Sequence, residues 1–281
     1  MGEKNSVEVK AMDCQHFAQK LRKRMLDMAT IGGQYPMHWG GAMSSVEILS
    51  VLFKEIINHG DWDIGGDGED KFILSKGHAA FGYYVVLNAI GKLPDDVLNT
   101  YHSDGTHLAE LLEANDNLGF TASCGSLGLG LSYGAGLALR AKKKDLGYRV
   151  FVEVGDGELD EGAIWEAIMF ASQNELNNLY MIIDLNMMQS DGATKDIIKW
   201  DDLDKKLSSF GWETVSVDGH NCKDLLLGFN KLSGGTKPKA MIANTVKGKG
   251  ISFMENNNLW HDRMLRGDEL EQARKEVEKY A

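Results

Sequence analysis

The sequence has few cysteines and no apolar segment long enough to cross a bilayer. Its three cysteines, Cys14, Cys124 and Cys222, are widely separated among 281 residues and lack the spacing of metal ligands. Such sparse cysteine usage suggests a reducing compartment, and we expect a cytoplasmic protein. The most apolar stretch, Ala79–Ile90, is too short to span a membrane and is typical of a buried helix. The polar segment Met1–Lys10 is not typical of a signal peptide.

Positive charge is also scarce. The chain has 30 Lys and Arg against 41 Asp and Glu, a formal net charge of −11, which argues against nucleic acid as a partner. With 43% hydrophobic residues and three prolines, it is predicted to be a soluble globular chain with a substantial core. We find no internal repeat, low-complexity segment or convincing linker. We therefore expect one domain over residues 1–281, with a helical tail at its C terminus.

Strand-like and helix-like segments alternate from Val150 onward. Val150–Val154 and Tyr180–Asp184 are apolar and flank Glu161–Asn174, which has helical spacing. This alternation predicts an α/β fold, a doubly wound and mostly parallel sheet flanked by helices. Further helices are predicted at Val7–Thr30, Ser44–Ile57, Ala79–Ile90, Gly125–Ala141, Leu203–Phe210 and Cys222–Leu232, and further strands at Lys71–Ser75, Trp212–Val217 and Lys239–Val246.

Polar groups follow two successive predicted strands. Gly155-Asp156-Gly157 comes directly after the first strand, and Asn186 follows the second. Both fall at the carboxyl ends of parallel strands, where ligands bind in open α/β sheets. A carboxylate and an amide oxygen suit a hard cation such as Mg²⁺, and the glycines and the following helix N terminus suit a diphosphate. The pair predicts a metal site, although Gly-Asp-Gly alone is also common in plain turns.

Four histidines lie beside small residues in predicted loops or at strand ends. They are His38, His78, His107 and His261. Neutral imidazoles hold hydroxyls and phosphates and transfer protons near neutral pH. Their spacing is not that of zinc ligands. Each one alone is compatible with an ordinary loop or core histidine, but the four together indicate a functional site.

Motifs that cover nearly the whole chain resemble one enzyme family. They are Leu74-Ser75-Lys76-Gly77-His78-Ala79, the segment Gly125–Ser132, the segment Gly155–Gly162 with Trp165-Glu166-Ala167, Asn186 with Gln189 and Asp191-Gly192, and Lys247-Gly248-Lys249-Gly250 with Trp260-His261. Together they resemble the N-terminal, cofactor-binding part of transketolase, in the split form that makes this part a separate subunit. In that family, the Gly-Asp-Gly to Asn motif is the thiamine diphosphate signature.

The resemblance implies a role for each matching residue. Asp156, Asn186 and the backbone carbonyl of Met188 would hold Mg²⁺. Thiamine diphosphate would be bound by His78, Gly125, Ser126, Leu127, Gly155, Asp156, Gly157, Glu158, Asn186 and His261. The four histidines, His38, His78, His107 and His261, would line the substrate channel and handle hydroxyl protons. Glu161 would be a buried acid that couples the two active sites of a dimer, or a carboxylate favoured by the helix dipole.

The resemblance also implies a reaction and a partner. A two-carbon ketol unit would move from a ketose or ketose phosphate to an aldose or aldose phosphate, with the cofactor as electron sink. In the family, the next domain supplies the glutamate that activates the aminopyrimidine and most groups that recognise substrate phosphate. This sequence has no second α/β block with that acid. We therefore expect a heterotetramer of two plus two chains, in which a C-terminal subunit is the partner, and activity only in the complex.

Departures from the family pattern leave alternatives open. Bulky Tyr35, Met37 and Trp39 surround His38, and Asp262 stands where the family has Gly after Trp-His. A specialised two-carbon or acyl transfer in a biosynthetic pathway is therefore an alternative, with deoxyxylulose-phosphate synthase-like and 2-oxoacid dehydrogenase-like enzymes as the nearest rivals. A non-catalytic assembly or regulatory subunit is a second alternative. A nucleotide-binding Rossmann protein is less favoured, because no Gly-x-Gly-x-x-Gly follows an N-terminal strand.

Overall fold

Five parallel strands form the centre of the molecule. The computed structural model describes residues 2–31, 35–58, 67–115 and 118–280, with side chains from Ser6 onward. The strands pair in the order β1-β2-β3-β5-β4, and every neighbouring pair is parallel. Their bounds are β1 Lys71–Leu74, β2 Val150–Gly155, β3 Leu179–Leu185, β4 Glu213–Asp218 and β5 Lys239–Asn244.

Helices connect the strands and cover both faces of the sheet. Within the described ranges, none of them combines the length and apolar character needed to cross a bilayer. The helices are α1 Gly2–Ile31, α2 Trp39–Ser44, α3 Val46–Val51, α4 Ala80–Ala89, α5 Asp95–Leu98, α6 Gly130–Lys144, α7 Gly162–Gln173, α8 Thr194–Ile197, α9 Leu203–Ser209, α10 Cys222–Lys231 and α11 Asp268–Lys279.

Each face of the sheet has its own core. Successive strand residues point to opposite faces, so Phe151 and Ile182 pack with α1, α3, α4 and α10 on one side. Val152 and Ile183 pack with α6, α7 and α9 on the other side. Burying one such side chain contributes about 1.5–3 kcal/mol to folding. The predicted doubly wound, parallel α/β sheet is confirmed.

The predicted helix at Ser44–Ile57 is wrong in its bounds and continuity. The chain forms α2 and α3 and then a π-helical turn at Leu52–Ile56. The hydroxyls of Ser44 and Ser45 each donate to the carbonyl of Gly41 at 3.1 Å. Such side-chain bonds to the preceding turn compete with helical hydrogen bonding and bend helices. They lie at the junction of α2 and α3, where the helical course is interrupted.

The predicted start of a helix at Gly125 is also wrong, because α6 begins at Gly130. Gly128 has φ +88°, a conformation that residues with a Cβ rarely adopt. Its amide donates to Oε1 of Glu158 at 2.8 Å, outside any helical ladder. Residues 125–129 therefore form a loop that joins α6 to the carboxyl edge of the sheet.

That carboxyl edge collects polar groups from four strands. Lys76 follows β1, Asp156 follows β2, Asn186 follows β3 and Lys247 follows β5. Because the strands are parallel and adjacent, their ends meet at one edge. The fold thus brings residues up to 171 positions apart to a single surface.

Candidate functional site

A cavity of about 280 Å³ opens at the carboxyl edge of the sheet. A larger hollow of about 780 Å³ between α1 and α10 contains none of the predicted site residues. We assign the site to the smaller cavity, because convergent polar groups distinguish a binding site better than volume does. Its lining includes the predicted residues His78, Leu127, Gly155, Asp156, Gly157, Glu158, Asn186, Met188 and His261.

Asp156 is a buried carboxyl group with no cationic hydrogen-bond partner among the described residues. Its Oδ1 accepts from the amide of Gly157 at 3.0 Å, and its Oδ2 accepts from the hydroxyl of Thr194 at 2.9 Å. Burial, followed by the negative charge of Asp184, raises the pKa of Asp156 to about 6. A carboxylate that is destabilised in this way gains from a nearby cation. The environment of Asp156 therefore fits a metal ligand.

Asn186 and Met188 present two further oxygens. The side-chain amide of Asn186 donates to Oδ2 of Asp184 at 3.1 Å, which orients its own Oδ1 toward the amide of Met188 at 3.1 Å. An antiparallel bridge joins Met188 to Ala193, but its two hydrogen bonds belong to the neighbouring residues and leave the Met188 carbonyl outside the bridge. A carboxylate, an amide oxygen and a backbone carbonyl form a donor set that suits Mg²⁺.

A buried ion pair between Lys76 and Asp184 lies beside these oxygens. The ammonium of Lys76 contacts Asp184 and also donates to the carbonyl of Gly41 at 2.8 Å and to the hydroxyl of Ser45 at 2.9 Å. Burial disfavours both charges, but their attraction outweighs it, raising the pKa of Lys76 and lowering that of Asp184. The pair is thus charged and hydrogen-bonded, and Asp184 in turn orients Asn186.

Lys247 and His261 form the opposite wall. Nζ of Lys247 lies 3.1 Å from Nδ1 of His261 and donates to the carbonyl of Gln189 at 3.0 Å. An ammonium can only donate, so Nδ1 accepts and the neutral ring carries its proton on Nε2. Burial lowers the pKa of Lys247 to about 8. Burial and the Lys247 charge lower the pKa of His261 to about 3, so its ring is neutral.

Three of the four predicted histidines form one cluster. The ring centroids of His38, His78 and His261 lie 4.8, 5.4 and 5.9 Å apart. An antiparallel bridge between Met37 and Arg263 holds the segments of His38 and His261 together. Burial and then the charge state of His78 lower the pKa of His38 to about 4, and burial also lowers the pKa of His78. The cluster therefore offers neutral imidazoles to a ligand.

Acidic groups and a further histidine surround His38. One atom each from His38, Glu110 and Asp262 lie within 4.8 Å of one another. Oε1 of Glu110 is 3.4 Å from Nδ1 of His38 but does not make a hydrogen bond with it. His102, which no sequence pattern predicts as a site residue, packs between Tyr35 and Tyr101 with centroid distances of 5.2 and 4.1 Å. Nothing in its local sequence distinguishes it.

The loop at residues 125–127 approaches the cavity through a close backbone contact. A Cβ on Gly77 would lie 2.1 Å from the carbonyl oxygen of Cys124, so only glycine permits this approach. Leu127 lines the cavity, whereas Gly125 and Ser126 lie in the same loop outside the lining. The contact therefore places the loop next to His78.

Two predicted residues lie apart from the cavity, and a third lines it but bonds to the backbone. His107 is exposed, and in the described part of the chain it makes no ring contact with the histidine cluster. Glu161 is exposed at the start of α7. Glu158 lines the cavity, but its carboxylate accepts from the amides of Gly128 and Gly155 at 2.8 and 3.2 Å. Its contacts are those of a residue that supports the loops.

Comparison with known proteins gives a consistent family likeness. The family model for the transketolase thiamine diphosphate binding domain matches residues 17–279. The chain is 40% identical to an apulose-4-phosphate transketolase subunit from Actinobacillus succinogenes, over 85% of this chain and 87% of that protein. It is 35% identical to the 6-deoxy-6-sulfo-D-fructose transketolase subunit SqwG of Clostridium sp. (strain MSTE9), over 95% of this chain and 97% of that protein.

Larger relatives match over only part of their length. The transketolase of Pongo abelii is 36% identical over 92% of this chain, which spans 41% of that protein. The crystal structure of transketolase from Campylobacter jejuni aligns with a TM-score of 0.88 at 24% identity, over 95% of this chain and 43% of that one. At that identity the alignment establishes the fold, and the chain spans less than half of such transketolases.

Proposed function

This chain belongs to the transketolase family through its thiamine diphosphate-binding domain, and from that premise we propose that it is the N-terminal subunit of a two-chain transketolase. Its reaction is transfer of a two-carbon ketol unit from a ketose phosphate to an aldose phosphate. The observation that carries the proposal is the meeting of the Asp156, Asn186 and Met188 oxygens with neutral histidines in one cavity.

The cavity residues fit Mg²⁺ and a diphosphate. The carboxylate of Asp156, Oδ1 of Asn186 and the carbonyl of Met188 are the groups that would hold the cation. Its charge would relieve the destabilised carboxylate of Asp156. On the opposite wall, the ammonium of Lys247 and the Nε2 proton of His261 are donors for diphosphate oxygens. When bound, thiamine diphosphate supplies an electron sink for the pair released as the carbon–carbon bond breaks.

The histidine cluster is the proposed proton-handling group. With lowered pKa values, the neutral rings of His38 and His78 can each accept one hydrogen bond and donate another to a sugar hydroxyl. The lowered pKa values keep these rings neutral near neutral pH, so an unprotonated ring nitrogen is available to a sugar hydroxyl. His261 accepts from Lys247 through Nδ1 and would donate its Nε2 proton to the diphosphate.

Exposed apolar side chains support the need for a partner subunit. They lie on α6 and the loop before it, on α7, and in the loop after β3. Large apolar side chains that stay exposed are candidates for an interaction surface. We propose that a C-terminal transketolase subunit covers them, supplies the activating glutamate, and forms a heterotetramer of two plus two chains. The group comprises Leu129, Tyr133, Met169, Phe170 and Met187.

A specialised sugar substrate is a second candidate. Glu110 and Asp262 place two carboxylates beside His38, which disfavours an anionic group at that point. Two similar subunits are named for apulose 4-phosphate and 6-deoxy-6-sulfo-D-fructose. An unusual sugar phosphate whose hydroxylated part faces these acids therefore fits the same reaction type.

The reaction is tested by supplying different donors to the chain together with its co-purified partner. Ketose phosphates should serve as two-carbon donors, and pyruvate should not. Turnover of pyruvate instead would favour the rival acyl-transfer enzymes. Failure of the assembled pair to bind thiamine diphosphate would favour the non-catalytic role.

A further inference from the structure

Three side chains outside the cavity form a connected group, the Arg22–Glu47–His220 triad, in which His220 is partly buried. The guanidinium of Arg22 makes two hydrogen bonds to the carboxylate of Glu47, at 2.5 and 2.8 Å, and both side chains are fully buried. Nδ1 of His220 lies 3.0 Å from Oε2 of the same carboxylate. The three residues come from α1, α3 and the connection between β4 and α10.

The triad contacts the backbone on both sides of Lys247. The amide of Val246 donates to Nε2 of His220 at 2.8 Å, and Nε of Arg22 donates to the carbonyl of Lys249 at 3.2 Å. Between these two contacts, the side chain of Lys247 enters the cavity and reaches His261. The backbone is thus held on each side of Lys247, whose side chain lines the cavity.

The hydrogen bonds give His220 a single orientation and tautomer. Its Nε2 accepts from an amide, so the ring proton lies on Nδ1 and is donated to Glu47. Burial opposes the charge of Glu47, but Arg22 outweighs it and lowers the pKa of that carboxyl to about 2. Because Arg22 already neutralises Glu47, the imidazole is not needed to balance its charge. What His220 adds is the link from Glu47 to Val246.

We propose that His220 is a positioning residue, which together with Arg22 and Glu47 fixes the 246–249 segment so that Lys247 and His261 face an anionic ligand. The diphosphate identity of that ligand rests on the proposed function, whereas the positioning itself does not. Loss of the Val246 contact should let the segment shift. Lys247 would then lose its fixed contact with Nδ1 of His261.

Two substitutions separate positioning from simple structural support. In H220N, an amide N–H can replace the Nδ1 donor to Glu47, but the shorter side chain cannot reach Val246. In H220Q, an oxygen can replace the Nε2 acceptor, but the Glu47 contact is lost. We expect H220N to weaken Mg²⁺–thiamine diphosphate binding in the assembled enzyme by about tenfold. H220Q should retain binding within about threefold, and H16N on the exposed face of α1 is the control.

Two readouts besides activity decide the inference. The apparent KM for cofactor should rise in H220N with little change in kcat, since no reacting group is removed. In ¹⁵N-histidine-labelled, cofactor-free chain, His261 should show the Nε2-protonated tautomer in wild type and H220Q but a mixture in H220N. If wild type binds no cofactor, the proposed function fails, and the tautomer experiment still tests positioning.

The inference is overturned if the His261 tautomer is the same in all variants, or if H220Q loses cofactor affinity as H220N does. Should H220N not fold, R22K takes its place. This variant keeps a cation beside Glu47 but lacks the Nε donor to Lys249. An unchanged tautomer in R22K contradicts positioning in the same way.

Discussion

The ammonium of Lys247 lies 3.1 Å from Nδ1 of His261 and sets the tautomer of that ring. Burial and then the Lys247 charge keep the ring neutral. Burial raises the pKa of the Asp156 carboxyl group instead of lowering it, so this group is hard to ionise without a cation. One wall of the cavity therefore offers positive charge and N–H donors, and the other offers oxygens. Such a division suits a ligand that joins a metal-bound anion to a reactive group.

Substitution of Lys247 by Met should raise the pKa of His261. Met nearly matches the length and volume of Lys, but it removes the positive charge that disfavours the imidazolium. Because burial also lowers this pKa and remains, we expect a rise of about one pH unit. Histidine ring NMR during a pH titration measures it, and K249M, on the neighbouring lysine outside the cavity lining, is the control. An unchanged titration of His261 would show that the Lys247 charge does not act on the ring.

Substitution of Asp156 by Asn should change both cation binding and pH dependence. The pKa of Asp156 is about 6 in the folded chain and 3.8 in an unfolded one, so the native state holds this proton more tightly. Without metal, raising the pH from about 4 to above 6 therefore ionises Asp156 and destabilises the fold. The free energy of unfolding falls by about 3 kcal/mol at most. D156N should lack this loss.

Thermal unfolding with and without Mg²⁺ and thiamine diphosphate measures both effects. The unfolding temperature of wild type should rise more on addition of the two ligands at pH 8 than at pH 5, since the carboxylate must be ionised to bind the cation. D156N should lose at least ~100-fold in Mg²⁺-dependent cofactor affinity. D196N, on exposed α8, is the matched control and should behave as wild type. A full ligand response in D156N would exclude Asp156 as a metal ligand.

The fold and the meeting of Asp156 with Asn186 at one edge of the sheet were largely predictable from the sequence, because both depend on local patterns. Apolar runs that end in Gly-Asp-Gly or Asn indicate strand ends, and adjacent parallel strands bring Asp156 and Asn186 together. The start of α6 was mispredicted, since a tertiary contact of Gly128 with Glu158 overrides helical spacing. The contacts of Arg22 with Glu47 and His220 join residues far apart in sequence and leave no local signal.

Substitutions at His38 and His107 distinguish two histidines that the sequence treats alike. His38 belongs to the ring cluster, whereas His107 is exposed and apart from it. H38N in the assembled enzyme should lower kcat/KM by roughly 100-fold, the lower end of what proton-transfer groups contribute. H107N should change it by less than about threefold. Equal losses in both variants would mean that His107 reaches the substrate in the complex.

Substitution of Asp262 by Gly should alter substrate preference rather than chemistry. Asp262 is exposed beside His38 and Glu110, and its negative charge partly opposes the lowering of the pKa of His38, His78 and His102 by burial. D262G should lower KM for phosphorylated acceptors about threefold at low salt, with a smaller effect at high salt because ions screen exposed charges. D104N, on another exposed aspartate, is the control. A KM change that is independent of salt would contradict an electrostatic role.

The most direct measurement of the central claim follows carbon atoms from donor to acceptor. A ketose phosphate labelled with ¹³C at its first two carbons is incubated with an aldose phosphate, Mg²⁺ and thiamine diphosphate, and products are identified by mass spectrometry. We expect a product two labelled carbons longer than the acceptor when both this chain and its partner are present, and none with either chain alone or with D156N. Absence of labelled transfer by the assembled pair, or full transfer by this chain alone, would contradict the proposed function.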